Sequence, residues 1–432
     1  MQKMNLAIIS DVFPPKCGGS GWSSFFLARA LQARGHTLHV VVPREIKAWG
    51  GPDSTKFFTQ EREYEGLHIT EFCYPAWHLP FARNYSRNER LWPRLADWLT
   101  QFLRQNNIEL AHAQHYLTIP ATVMACQRLG IPSVATVRDY WPTCYWTTRL
   151  SGERVCPGCT ELNRLKCLVG NQGVVGAVAA PVSLYMAANV QHKQKWLAQA
   201  DQTLAVSSYI ATTLAASLAP TQLKVLPNFI DPAHLQNVTV QPPQTQAAAS
   251  PYLLYVGKLE VNKGARLLLD ILKTPRPALP LLIAGDGALR EEIEREATAV
   301  GLKVQILGWT DHDEVLRLMA YSQALLFPSL WPEPLSRVLL EAIGVGAVVL
   351  ALDTGGTSDI ILHNQTGLLS HSGVEMAGQL THILQPTQAL HRQHLSQTAR
   401  EYARQKFSEE IVVAQVEQLY AELSQARKGR RA

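Results

Sequence analysis

The stretch that determines the architecture of this chain is Trp331-Pro332-Glu333-Pro334-Leu335-Ser336-Arg337-Val338-Leu339-Leu340-Glu341, in the second half of its 432 residues. Prolines flank Glu333, so this glutamate cannot lie inside a helix, and Pro334 suits the first position of one. The sequence therefore predicts a helix over Leu335–Ile343 whose free N–H groups form an anion site beside Glu333. At 1.5 Å per residue, Glu341 is expected about 12 Å further along the axis.

This spacing suits a nucleotide diphosphate-sugar. Its phosphate would lie at the helix end, a sugar hydroxyl would reach Glu333, and the ribose hydroxyls would reach Glu341. The alternative is a solvated helix with two unrelated glutamates, since a carboxylate near a helix start is common. The neighbouring sequence is needed to distinguish a donor site from a solvated helix.

Short apolar runs alternate with helical patterns through both halves of the chain, which is typical of parallel α/β sheets. The chain is too long for one ordinary core and suits two such domains. The predicted strands are Asn5–Ser10, Leu38–Val42, Ile108–Ala111, Ser133–Val137, Thr203–Val206, Tyr252–Val256, Pro280–Ala284, Val304–Leu307, Ala324–Phe327 and Val348–Ala351. Two predicted helices in the first half are Trp22–Arg34 and Pro120–Leu129.

The chain is divided by composition into four parts. An N-terminal domain is expected over residues 1–235, with an irregular insert at 140–195. A Pro- and Gln-rich linker follows at 236–250, then a C-terminal domain at 251–408. The last part, 409–432, is predicted to be a helix that packs back on the N-terminal domain.

The second half resembles glycosyltransferase family 4, the retaining transferases of the GT-B fold, in which two Rossmann-like doubly wound parallel-sheet domains face a cleft. The family has a Glu, seven residues and a second Glu at this place. The matching segments are Pro328-Ser329-Leu330-Trp331-Pro332-Glu333, Glu341-Ala342, Gly346, Asp353, Gly355-Gly356 and Thr366-Gly367-Leu368-Leu369. The resemblance implies that Glu333 faces the donor sugar, that Glu341 binds the ribose, and that Leu335 and Ser336 line the donor site.

Three positions depart from that pattern without removing the donor-binding groups. Ser336 stands where Gly is usual, Ala347 where Pro is usual, and Asp359 where Glu is usual. In each case a small or polar residue replaces a similar one.

Two lysines follow the first predicted strand of the second domain. Lys258 and Lys263 lie in Val256-Gly257-Lys258-Leu259-Glu260-Val261-Asn262-Lys263-Gly264, at the sheet edge where ligands of such folds bind. They are predicted to neutralise the donor diphosphate and stabilise it as a leaving group. The family usually has Arg at Lys258, and solvated lysines beside a turn are the alternative.

Two glycine-rich loops also follow strands. Gly18 and Gly19 precede the first helix, and the family has a Gly-Gly loop here that meets donor phosphate or acceptor. Their spacing is not Gly-x-Gly-x-x-Gly, which argues against hydride transfer. Gly285-Asp286-Gly287 is expected mainly to shape the backbone.

The catalytic part of the first domain is expected after the strand that ends near Ala111. The family often has His-x-His here, its second His contacting the transferred sugar, and the matching position is Gln114. Either Gln114 or the next residue, His115, is predicted to lie in the pocket. His112 is more typical of a structural residue.

Four of the seven cysteines lie in the insert: Cys144, Cys156, Cys159 and Cys167. Cys156-Pro157-Gly158-Cys159 has the spacing of a zinc pair, and the other two could complete a structural tetrahedral site. Reduced thiols in a loop are the alternative. The insert's arginines and lysine could meet an anionic acceptor or headgroup, or form a solvated basic loop.

The overall balance of charge is mildly basic, at +5. It does not indicate nucleic acid and fits anionic small molecules or an anionic membrane surface. The first apolar run is interrupted by Asp11 and is better interpreted as a strand than as a signal peptide. Val174 to Val190 is predicted to be a buried or partly buried helix rather than a membrane segment. A cytoplasmic enzyme, with possible peripheral contact at the inner membrane face, is expected.

Together these features predict a retaining transfer of a sugar from a nucleotide diphosphate-sugar to a saccharide or lipid-linked acceptor. No cofactor or divalent metal is expected to be needed for transfer, because lysines and backbone amides replace it. Two other hypotheses stay open: a non-catalytic nucleotide-sugar-binding scaffold, and a sugar-nucleotide epimerase or phosphorylase on the same fold.

Overall fold

The chain forms two compact α/β units in this computed structural model, which describes residues 3–15, 17–47, 56–77, 80–152, 154–173, 181–274 and 276–431. The first unit comprises Met1–Gly152, Cys156–Leu226 and Val413–Ala432. The second comprises Glu153–Val155 and Pro227–Val412. Among the described residues, no helix is both long enough and apolar enough to cross a bilayer.

The sixteen strands of the described residues follow here in chain order. They are β1 (Asn5–Ile9), β2 (Thr37–Lys47), β3 (Phe58–Tyr64), β4 (Leu67–Ala76), β5 (Leu110–Ala113), β6 (Ser133–Val137), β7 (Leu150–Ser151), β8 (Arg154–Val155), β9 (Gln202–Ala205), β10 (Leu223–Val225), β11 (Leu253–Val256), β12 (Leu281–Ala284), β13 (Val304–Gly308), β14 (Ala324–Phe327), β15 (Val349–Leu352) and β16 (Leu368–Ser370).

The α-helices connect these strands. They are α1 (Gly19–Ala33), α2 (Pro80–Arg87), α3 (Leu91–Gln105), α4 (Ile119–Leu129), α5 (Glu161–Gln172), α6 (Val182–Leu197), α7 (Ser208–Leu214), α8 (Pro232–Thr239), α9 (Ala265–Lys273), α10 (Arg290–Ala299), α11 (His312–Tyr321), α12 (Arg337–Val345), α13 (Gly373–Ile383), α14 (Ala389–Phe407) and α15 (Glu409–Arg431).

The first unit contains an eight-stranded sheet in the order β10-β9-β6-β5-β1-β2-β4-β3. Every pairing in it is parallel except that of β3 with β4. Strands β1, β5 and β6 are almost wholly buried because helices cover a parallel sheet on both faces. The order reverses between β1 and β5, so the loops after these two strands leave from the same edge in opposite directions.

The second unit contains a six-stranded parallel sheet in the order β13-β12-β11-β14-β15-β16. This is the order of a doubly wound Rossmann sheet, with its switch point between β11 and β14. Its core joins the apolar faces of β11, β12, β14 and β15 to the buried sides of α9, α10 and α13. Two α/β units with parallel sheets were predicted, and both are confirmed.

The passage between the units differs from the predicted linker. The chain leaves the first unit at Leu226–Pro227, and residues 236–250 belong to the second. Helix α8 buries Leu235 and Val238, and Glu314 accepts hydrogen bonds from the backbone N–H groups of Gln244 and Thr245. A Pro- and Gln-rich composition was therefore misinterpreted, since these backbone groups are held by the unit itself.

Two other elements differ from their predicted form. The strand expected at Ile108–Ala111 is β5, two residues later. The insert is not irregular, because it contains α5 and most of α6. Within the apolar stretch, residues 174–180 lie outside the described residues, while α6 is a partly buried helix, as predicted for that segment. The last helix, α15, belongs to the first unit from Val413 onward, and its Glu417 pairs there with His36 at 3.0 Å.

Candidate active site

The loops after β11 and β14 begin at the switch point of the second sheet. Because the two strands are neighbours, their carboxyl ends bring the loops together. The carbonyl oxygen of Asn262 accepts hydrogen bonds from the N–H groups of Leu330 and Trp331, at 3.0 and 2.9 Å. This connection fixes Lys263 opposite Glu333.

Lys263 and Glu333 form a direct ion pair. Lys263 Nζ lies 2.6 Å from Glu333 Oε1 and 4.6 Å from the centre of the Trp331 ring. Ser329 Oγ donates a second hydrogen bond to the same carboxylate oxygen at 2.9 Å. Glu333 is only 6% exposed, so its charge is held by these partners rather than by water.

Two glycines hold the backbone of this site in place. Gly264 has a φ of 72°, and a Cβ atom there would overlap the carbonyl oxygen of Pro328. Gly355 has a φ of 59°, and a Cβ there would overlap the backbone of Pro332 and Glu333. Next to it, the N–H of Gly356 donates to the Glu333 carbonyl oxygen at 2.6 Å. Both approaches need a residue without a side chain.

The helix predicted to begin at Pro334 begins instead at Arg337. Ser336 is its N-cap, since its Oγ accepts a hydrogen bond from the N–H of Leu339. A capping side chain thus outweighs the preference of proline for the first position. Glu341 lies only four residues after Arg337, the first residue of the helix. It is therefore about one helical turn from the helix start, not two. The predicted separation from Glu333 along a single helix axis is therefore wrong.

Glu341 is buried and charged. Its Oε1 accepts from Arg337 Nε at 2.9 Å and lies 3.1 Å from His312 Nε2. Burial would raise the pKa of Glu341, but Arg337 and His312 hold it below its usual value. In return, Glu341 raises the pKa of His312 against the effect of burial. His312 was not recognised in the sequence, because it lies on a different helix from Glu341.

The other predicted donor residues occupy different environments. Lys258 is 74% exposed at its side chain and lies 3.7 Å from Glu260. Leu335 is buried beside the cap residue Ser336. At Gly287, a Cβ would meet the backbone of Leu259, so the Gly285–Gly287 turn shapes the loop that carries Lys258.

In the first unit, the carboxyl ends of β1, β5 and β6 bring together three charged side chains that follow them. His115 Nδ1 lies 2.8 Å from Asp11 Oδ2, and His115 Nε2 lies 3.5 Å from Asp139 Oδ2. Burial lowers the pKa of His115, but Asp139 and Asp11 outweigh it and raise this pKa above its usual value. Burial also raises the pKa of Asp139, although His115 opposes this.

Gln114, one of the two residues predicted for the pocket, lies in the interior of the first unit. It is fully buried, and its Oε1 accepts from Arg138 at 2.6 Å. Its Nε2 lies 2.9 Å from His112 Nε2. His112 in turn contacts Tyr420 Oη at 2.6 Å, and burial lowers its pKa to about 3. His112 is therefore structural, and His115 is the side chain at the sheet edge.

Gly18 and Gly19 begin α1 at the same edge. Both are exposed, and a Cβ at Gly18 would meet nothing within 4 Å. The glycine with a steric requirement is Gly21, where a Cβ would meet Cys17 Sγ. The exposed pair leaves room for a ligand near the first turn of α1, while Gly21 serves packing.

A polar cavity of about 410 Å³ lies beside His115 in the first unit. The ring of Tyr116, which lines it, lies 4.9 Å from the His115 ring. The cavity was missed because its walls come from α2, α6 and the segment after β6. Its lining contains three basic side chains, three aromatic side chains and three smaller polar ones. These are Arg83, Arg87 and Lys193, then Tyr116, Tyr145 and Trp146, and finally Asn84, Asn88 and Thr147.

The four cysteines of the insert are free thiols that line one cavity of about 130 Å³. Burial raises the pKa of Cys167 to about 11, and the charges of Cys144, Cys156 and Cys159 add to this effect. The four side chains thus line the same cavity. Metal binding at this cluster stays a prediction.

Comparison with known proteins identifies the family. A model described as Glycosyltransferase Family 4 matches residues 17–234, about half of the chain, and one described as Glycosyl transferases group 1 matches residues 240–406. The chain belongs to glycosyltransferase family 4. It is therefore an enzyme of the glycosyltransferase class, and the resemblance seen in the sequence is confirmed.

Relatives and solved structures agree with this assignment. A glycogen synthase from Mycobacterium tuberculosis is 25% identical over 385 residues, covering 84% of this chain and 82% of that protein. The D-rhamnosyltransferase WbpZ from Pseudomonas aeruginosa is 36% identical over 121 residues, which cover 27% of this chain and 31% of that protein. HepE from Anabaena, solved with UDP, is 18% identical with a TM-score of 0.68, covering 97% of this chain and all of that one. The last similarity supports the fold, which is GT-B.

Proposed function

We propose that this family 4 enzyme transfers a sugar from a nucleotide diphosphate-sugar to a saccharide or lipid-linked acceptor with retention of the anomeric configuration. The observation that carries the proposal is the Lys263–Glu333 pair at the switch point of the second sheet. Relatives support the choice of donor, since HepE was solved with UDP and with UDP-glucose.

The donor roles follow from the charges of the second unit. Lys258, which is exposed, and Lys263 would bind the diphosphate, and the first N–H groups of α12 would add positive potential. Glu333 would accept a hydrogen bond from a sugar hydroxyl. Glu341 would bind the ribose through Oε2, because Arg337 and His312 both contact Oε1.

The transfer itself exchanges one C–O bond for another. The bond between the anomeric carbon and the diphosphate oxygen breaks, and the acceptor oxygen forms a new bond on the same face. The acceptor proton passes to the leaving diphosphate, so no separate general base is needed. The lysines stabilise the charge that develops on that diphosphate, which is why we propose that transfer proceeds without a divalent metal.

The acceptor is proposed to bind in the 410 Å³ cavity of the first unit. A volume of this size suits one or two sugar rings. Tyr116, Tyr145 and Trp146 provide faces on which a sugar ring can stack, while Arg83, Arg87 and Lys193 provide positive charge. Glu45 pairs with Arg83 at 3.0 Å and lies 3.6 Å from Arg87, so part of that charge is already compensated. An acceptor with a phosphate or carboxylate group fits the remainder.

The test is a donor screen followed by product analysis. The purified enzyme is incubated with UDP-, GDP- and ADP-sugars and with neutral, anionic and lipid-linked saccharides, and release of nucleoside diphosphate is measured with and without Mg²⁺. We expect one donor to be consumed only with an anionic acceptor, at equal rates with and without Mg²⁺. Nuclear magnetic resonance should find the donor's anomeric configuration in the product. Inverted product, or turnover that requires Mg²⁺, would contradict the proposal.

A variant separates the acceptor site from the donor site. Arg87→Met should raise the KM for the anionic acceptor about 10-fold or more and leave the KM for the donor unchanged. Arg128→Met changes an exposed arginine of the same unit and serves as the control. Equal effects of both variants would argue against this cavity.

A further inference from the structure

The strongest feature outside the transfer site is the cysteine cluster of the insert. Cys144 lies in the turn after β6, Cys156 and Cys159 lie in the loop before α5, and Cys167 lies in α5. All four line the same cavity.

One of the four cysteines lies in the apolar core. Among the described residues of the insert, Cys167 belongs to a buried cluster with Tyr145, Leu168, Met186 and Val190, against which Trp146, Val182 and Tyr185 pack. All four cysteines are free thiols.

We propose that Cys144, Cys156, Cys159 and Cys167 bind one structural Zn²⁺ ion. Four cysteines that include a Cys-x-x-Cys pair form the ligand set of closed tetrahedral zinc sites. On binding, four S–H bonds break, four Zn–S bonds form, and four protons pass to solvent, with no change of oxidation state. This inference does not depend on the proposed function, since none of the four ligands is a proposed donor or acceptor group.

The thiol hydrogen bonds describe the state from which binding starts. Cys156 Sγ donates to the carbonyl oxygen of Gly158 at 3.4 Å, and Cys144 Sγ accepts from the N–H of Arg149 at 3.3 Å. In a zinc site the sulfurs would lie about 3.8 Å apart, at Zn–S distances near 2.3 Å. Among the described residues, only His234, His312 and Asp313 already have ligand atoms within 4.8 Å of one another. Side-chain rotation must therefore draw the sulfurs together.

The surroundings suit a site of two net negative charges. Lys193 Nζ donates to the carbonyl oxygens of Cys144 and Tyr145, at 3.3 and 3.4 Å. Arg164 donates to the carbonyl oxygen of Cys159 at 3.0 Å. Both cations are held beside ligand residues by these backbone bonds, where their positive charges can offset part of the negative charge of the site.

Zinc at this place would also position the acceptor cavity. Tyr145 and Trp146 follow Cys144 directly and line both cavities. If zinc fixes Cys144, the backbone that follows it is fixed as well. The metal would thereby hold the two aromatic side chains in place in the acceptor cavity.

The experiment measures zinc per chain by mass spectrometry in the full-length protein, purified without a metal-affinity step. We expect about one zinc per chain in the wild type, Cys17→Ser and His234→Ala, and less than a tenth of that in Cys156→Ser/Cys159→Ser. Cys17 is the matched cysteine outside the insert, and His234 belongs to the other potential metal-binding group. Zinc lost only in His234→Ala, iron with sulfide in place of zinc, or a metal-free wild type would overturn the proposal.

A second measurement covers the case in which the double variant does not fold. Wild-type protein stripped of metal is titrated with Co²⁺, which gives the intense absorption of a tetrahedral thiolate site if four sulfurs bind. Two disulfides in the stripped protein under reducing purification, or cobalt spectra without thiolate bands, would also overturn it.

Discussion

Lys263 Nζ lies 2.6 Å from Glu333 Oε1, and this ion pair joins the loops after β11 and β14 at the switch point of the second sheet. The pair explains how a mostly buried carboxylate stays at the edge where ligands bind. A donor phosphate can share Lys263 with Glu333, which leaves the carboxylate free to accept from a sugar hydroxyl.

Lys263→Met and Glu333→Gln should each lower kcat/KM by about 100- to 1,000-fold, the cost of removing one electrostatic group from a transition state. Because the two side chains act together, the losses should not add. The kcat/KM of the double variant should be little lower than that of the less active single variant. Lys273→Met, which removes an exposed lysine of the same unit, should keep wild-type activity. Losses that add in full would mean that the two side chains act independently. Thermal unfolding of each variant separates lost activity from lost fold.

Gly264→Ala should destabilise the second unit by about 2–4 kcal/mol. A left-handed backbone with a Cβ costs about 1–2 kcal/mol, and overlap with the Pro328 carbonyl adds a similar amount. Gly378→Ala is the matched control, since its Cβ would meet nothing within 4 Å in the middle of α13. It should stabilise by about 0.5–1 kcal/mol. Urea unfolding measures both, and equal effects would exclude the steric explanation.

Sequence patterns predicted the central elements well because those elements carry uninterrupted apolar runs. Strands β6 and β14 have the predicted bounds. The exposed strand β3 was missed because Glu61, Arg62 and Glu63 follow one another in it, and the buried strand β4 was missed because polar residues interrupt its apolar sequence. Local pattern was thus informative where a strand carries a continuous apolar run.

The candidate site was predicted only in the parts that one segment contains. Glu333, Glu341 and the lysine loop follow from adjacent motifs. Asp11, Asp139 and His312 were missed because each is far in the sequence from the residue that it contacts. Asp11 lies 104 positions from His115, and His312 lies 29 positions from Glu341. Ser336 was compared with a family glycine, but its role here is to cap α12.

Gln114→Ala should destabilise the first unit and leave the donor KM unchanged. Arg138 and His112 each lose one hydrogen bond in the interior; such a bond contributes about 0.5–1.5 kcal/mol, or about 1.5–3 kcal/mol where one partner is charged. The variant should therefore unfold at lower urea concentration. If donor KM rises while stability stays constant, Gln114 contacts the ligand after all, and the interior position described here does not represent the active form. Gln127→Ala, at an exposed glutamine on α4, provides the control.

His115 should give the enzyme an alkaline pH limit. Its pKa is raised above 6.5 by Asp139 and Asp11, against burial, so its charged form contributes stability that is fully present below pH 6.5. That contribution is lost as the pH rises through the folded-state pKa. We expect kcat/KM and the urea midpoint to decline together over this range, and the decline to be absent in His115→Gln. Asp139→Asn removes one of the two carboxylates, so the decline should move to lower pH. His68→Gln, at an exposed histidine, should leave the profile unchanged. A decline at the same pH in the wild type and in Asp139→Asn would assign it to a different group.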